Sequence, residues 1–204
     1  PALFSNADEI RWEIGASSNR IETSTSPLSI GKWSHVVATG NGSILTIYVD
    51  GVSLVSESKT RTESTASEVF TIGGPDGDGG VNSIDGLIDD VRIYNYARTP
   101  KQIVQDMNAG HPAVGSPVGS AVGYWKFDEG SGLNVADSSQ NNNNWPLGGA
   151  DVYVAGIQGS AIDLTSTWLT STFTTPIDIR TVGFWFKSSE TDGIGTVLCF
   201  DNGI

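Results

Sequence analysis

Two turn dipeptides between β-prone runs constrain this chain more than any other feature. In TIYVDGVSLV, Asp50-Gly51 separates two such runs, and Asn41-Gly42 repeats the device after HVVAT. Glycine accepts the positive φ that a tight hairpin demands, so residues 35–56 read as a three-stranded meander. The same period of two recurs elsewhere. Ile10, Trp12 and Ile14 fall on one face of a strand and Arg11 and Glu13 on the other. Val91 and Ile93 alternate with Arg92 and Tyr94, and Val182, Phe184 and Phe186 alternate with Trp185 and Lys187.

A chain of 204 residues holds one large β-sandwich with a sizeable core. The 25 glycines and the many Ser, Thr and Asn residues suit short strands joined by tight turns. Lys and Arg total 11 against 23 Asp and Glu, a formal charge of −12, and no basic cluster is interleaved with aromatics. That balance argues against nucleic acid and anionic membranes as partners. No apolar run approaches the roughly 20 residues that span a bilayer. Pro1 is neither an initiator methionine nor part of a signal peptide, so the chain reads as a processed product or a piece of something larger.

One helix is expected, near 100–109. Thr99 offers an N-cap oxygen, Pro100 sits where its missing N–H costs nothing, and Gln102 can reach back to close a capping box. Ile103, Val104 and Met107 form one apolar stripe, and Gly110 with Pro112 ends the helix. HPAVGSPVGS then reads as a linker.

Little in the chain points to catalysis. Glycosidases set two carboxylates across a cleft, whereas Asp128-Glu129 and Asp89-Asp90 are adjacent pairs whose members point to opposite faces of a strand. His35 lies within a strand and His111 in the linker, so neither completes a nucleophile–base pair. Cys199, the single cysteine, sits between Leu198 and Phe200 and reads as a small buried hydrophobe, with an intermolecular disulfide as the alternative.

Four phrases carry a resemblance to a known family: Trp33-Ser34-His35-Val36, Tyr48-Val49-Asp50-Gly51, the run from Ile88 to Tyr94 (IDDVRIY), and the run from Trp125 to Gly130 (WKFDEG). The chain resembles the laminin-G-like jelly rolls of the concanavalin A-like lectin/glucanase superfamily. The resemblance implies an all-β jelly-roll sandwich of two antiparallel sheets, with one short helix after the last strand. In the family FDE precedes YVDG, so the halves here stand in rotated order. Residues 1–110 correspond to a C-terminal half, 111–121 to a linker and 122–204 to an N-terminal half. Together they make one domain-equivalent, permuted or shared between neighbouring copies. The family's turn commonly reads like GNGNNG, where this chain has Gln140, four asparagines and Trp145.

Calcium needs six to eight oxygens from carboxylates, Asn side chains and carbonyls. Asp137 with Asn141 and Asn142, and Asp89 or Asp90, are candidates to supply them, and the resemblance places the role first on Asp137 and Asp90. The alternative is that Asp137 caps a turn while Asp89 and Asp90 pair with Arg92 or Lys126. The acidic loop 73–80 lacks the ligand order of an EF-hand and reads as a flexible loop.

Among six tryptophans, Trp12, Trp33, Trp125 and Trp185 fall in apolar alternations or family phrases and read as core or partly buried. Trp145 and Trp168 lie in polar surroundings and are the candidates for stacking on a sugar ring. Two function classes follow. One is a non-catalytic extracellular adhesion or assembly module, as of a bacterial surface fibre, whose partners are copies of itself or adjacent domains. The other is a lectin-like module that binds glycans beside a secreted enzyme.

Overall fold

The computed structural model of the chain describes residues 2–5, 10–13, 20–25, 27–59, 69–74, 85–108, 121–147, 152–165, 168–172, 178–189 and 195–201. The larger sheet runs in the order β12 (Tyr153–Ala155), β13 (Ser160–Asp163), β8 (Gly86–Tyr94), β15 (Thr181–Ser188), β4 (Ser34–Gly40), β5 (Ile44–Val49) and β6 (Val52–Ser58), with β9 (Gly123–Trp125) also paired to β8. The smaller runs β14 (Leu169–Thr172), β7 (Val69–Ile72), β16 (Gly195–Asp201), β1 (Ala2–Ser5), β2 (Ile10–Glu13) and β3 (Arg20–Glu22). A two-residue pair, β10 (Asn134–Val135) with β11 (Trp145–Pro146), stands apart. Strand pairing is antiparallel throughout, as in β15 against both β4 and β8.

The inward faces follow the alternation in the sequence. Ile10 and Trp12 of β2 meet Val91 and Ile93 of β8 and Val182, Phe184 and Phe186 of β15 in one core, all at 1% exposure or less. Both turns form as expected: Asp50 and Gly51 take φ of 49° and 79°, and the Asp50 carboxylate accepts the His35 N–H at 2.8 Å. Gly42 has φ of 96°, and the Asn41 side chain accepts the N–H groups of Ser43 and Ile44.

The helix α1 spans Pro100–Asn108, and its capping box is made: the Gln102 side chain accepts the Thr99 N–H, and the Thr99 hydroxyl accepts the Gln102 N–H. Ile103 packs with Val37 and Tyr48 on the outer face of the larger sheet. Arg92 and Tyr94 are therefore buried too, although they alternate with the core residues. Cys199 and His35 are both buried. Ile14, His111, the helix-ending Gly110 and Pro112, linker residues 111–120 and loop residues 75–80 lie outside the described residues.

Strands from the two segments alternate. β15 of the second segment lies between β8 and β4 of the first, and β16 lies between β7 and β1.

Candidate functional site

The buried charges gather where the second segment meets the outer face of β8. Asp90 has φ of 57°, and its carboxylate faces the Arg92 guanidinium at 3.1 Å and the Tyr124 hydroxyl at 2.7 Å. Arg92 also donates to Tyr124 and to the Asp106 carbonyl of α1, and lies over the Tyr124 ring. Burial alone would pull the Arg92 guanidinium down, but Asp90 and the tyrosines beside it hold it firmly charged. A second pair, Arg98 with Asp106, closes on Tyr94, whose hydroxyl donates to Asp106. Desolvation, with Asp106 adding to it, raises the Tyr94 phenol.

Asp137 is held at the other end of Tyr124. Its carboxylate accepts the N–H groups of Tyr124, Ser139 and Asn143 and the Ser139 hydroxyl, at 2.7–2.9 Å. Asn141 and Asn143 both turn their amide N–H toward the Val122 carbonyl at 3.0 Å. Asn142 takes φ of 54°, the left-handed turn that a glycine serves elsewhere.

These residues do not fit one shared calcium. Asp137 already receives four N–H or O–H donors, and any cation at Asp90 would stand against the Arg92 guanidinium. No group of three or more His, Cys, Asp or Glu converges among the described residues. Asp137 sits in a turn and Asp90 pairs with Arg92, as in the alternative reading, whereas Asp89 pairs with neither Arg92 nor Lys126 and accepts backbone N–H groups instead. Ser139, Asn143, Tyr124 and Asp106 belong to these networks and escaped the sequence reading, because a tyrosine hydroxyl and a run of asparagines carry no spacing signal.

Asp89 stands apart from Asp90. It is fully buried, one oxygen accepts the N–H groups of Ile157 and Gln158 at 2.9 and 3.1 Å, and the other has no partner. Burial pushes its carboxyl up to about 7, with Asp90 and Asp128 adding to the rise.

The two sugar-contact candidates separate. Trp145 does not reach the surface: it is 1% exposed and stacks on Trp125, ring centroids 4.0 Å apart. The turn at Asn142 sends the chain back onto β10, and pairing of Val135 with Trp145 aims the indole inward. Trp168 is 53% exposed, at the start of the edge strand β14 and against Gly74.

The antiparallel two-sheet fold agrees with the comparison of sequence families. The laminin-G model of the concanavalin A-like lectin/glucanases superfamily matches residues 2–104. The chain belongs to this family. Searches of the curated proteins and of the solved structures each found no match. Laminin-G-like domains are lectin-like or adhesion modules, generally non-catalytic and typically extracellular. No described helix is long and apolar enough to cross a membrane.

Proposed function

We propose that the chain is a non-catalytic adhesion and assembly module of an extracellular protein, joined to copies of itself or to adjacent domains. One observation carries this reading. Strand β6 is the edge of the larger sheet, pairs only with β5 among the described residues, and exposes Val52 at 61% and Leu54 at 44%. An edge strand that presents unpaired backbone groups beside apolar side chains is a template for another strand. Light scattering and electron microscopy of the wild-type chain test it, beside the double variant Val52→Glu, Leu54→Lys. Loss of the larger assemblies in the variant is expected. A wild-type chain that stays monomeric at every concentration overturns the reading.

A second reading, glycan binding, rests on Trp168 alone, whose indole offers a flat apolar face to solvent. Quenching of tryptophan fluorescence by a polysaccharide, lost in Trp168→Ala, would favour it. Release of reducing ends would overturn the non-catalytic part of the proposal.

A further inference from the structure

The way the two segments interlock specifies a partner. Removing residues 122–204 would open one slot between β8 and β4 and another between β7 and β1, each filled by a full-length strand of the second segment. It would also strip buried polar groups of their partners. Asp89 would lose Ile157 and Gln158, Asp90 would lose the Tyr124 hydroxyl, and the Arg98 N–H would lose the Thr181 hydroxyl at 2.9 Å. An open first half therefore exposes apolar surface and unpaired buried groups, both costly in water. The occupant that restores all of them is the sequence 122–204, and every copy of the chain carries it.

We propose that copies of this chain exchange halves, residues 122–204 of one copy completing the sandwich of residues 1–110 of another. This rests on the reading above that copies assemble, and adds a mode that does not use the β6 edge. The contacts are the same within a chain and between chains, so the choice turns on effective concentration and on the path of the linking segment. Reciprocal exchange closes a dimer; head-to-tail exchange continues into a filament.

The test uses two full-length variants with opposite defects. Val91→Asp places a charge in the core from the first half and Phe184→Asp does so from the second, at positions 0% and 1% exposed. Neither should show a cooperative melt alone. Unfolded together and refolded, the sound first half of one can join the sound second half of the other, and we expect a restored transition in a two-chain complex. A mixture that behaves only as the sum of the two variants overturns the proposal. A second measurement avoids damaged cores: wild-type chains with and without ¹⁵N are refolded together at rising concentration and weighed intact. Mixed-isotope dimers that grow with concentration support exchange, and single-chain masses throughout overturn it. Repeating this with Val52→Glu, Leu54→Lys separates the proposal from edge association. Mixed dimers retained in that variant support exchange, even if larger assemblies vanish. Mixed dimers lost with the edge overturn it.

Discussion

At the scale of single residues, two buried groups should pull the pH dependence of stability in opposite directions. Burial, with Arg92 nearby, lowers the His35 imidazole from 6.5 to about 3, where it lies beside the Trp185 ring. Between those values the unfolded chain binds a proton that the folded chain refuses, so this residue weakens the fold as pH falls. Asp89 is raised from 3.8 to about 7, so the folded chain keeps a proton that the unfolded chain has released, and stability falls as pH rises through that window. His35→Gln should leave a curve that declines from about pH 4 to 7, and Asp89→Asn one that declines on acidification. Urea melts across this range check both, and parallel curves for the two variants would refute the assignment. Asp137 gives a second expectation. Losing an acceptor for four donors, Asp137→Ala should cost on the order of 2–4 kcal/mol, while a chelator leaves the wild-type melting temperature unchanged. A melting temperature that drops with chelator would restore the calcium reading. The acidic residues were visible in the sequence, but their partners were not. Whether a carboxylate meets a cation or an N–H depends on loop geometry that spacing does not encode.

At the scale of elements, local chemistry was legible wherever it was self-contained. Asp50-Gly51 and Asn41-Gly42 need only their own φ values and neighbours, and Thr99 to Gln102 needs only the first turn of a helix. Thr99→Ala should therefore cost about 1 kcal/mol, seen as a shift of the urea midpoint without a change of slope. A loss several times larger would mean that the cap also orders Arg98 and its ion pair with Asp106. Trp145 shows where such reading stops. Four asparagines before it suggest a polar loop, yet the pairing of β10 with β11, set by a turn at Asn142, decides which way the indole faces. A two-residue strand carries too little alternation to reveal its own inward side.

At the scale of the molecule, the sandwich was legible from its phrases, because the alternation of a strand is local to it. How the segments interlock was not, since strand order across a sheet depends on contacts between residues far apart in sequence. That interlocking gives the last expectation. Each copy carries a formal charge of −12, so two copies repel as they approach, and salt screens this over about 10 Å at 0.1 M. The surfaces that exchange would rejoin are chiefly apolar strand faces, with ion pairs such as Arg92–Asp90 wholly within one segment and little touched by salt. Raising ionic strength from about 0.02 to 0.5 M should thus increase the share of mixed-isotope dimers after refolding at a fixed concentration. A share that falls with salt would mean that complementary surface charges join the copies, which neither an apolar sheet edge nor an exchanged half supplies.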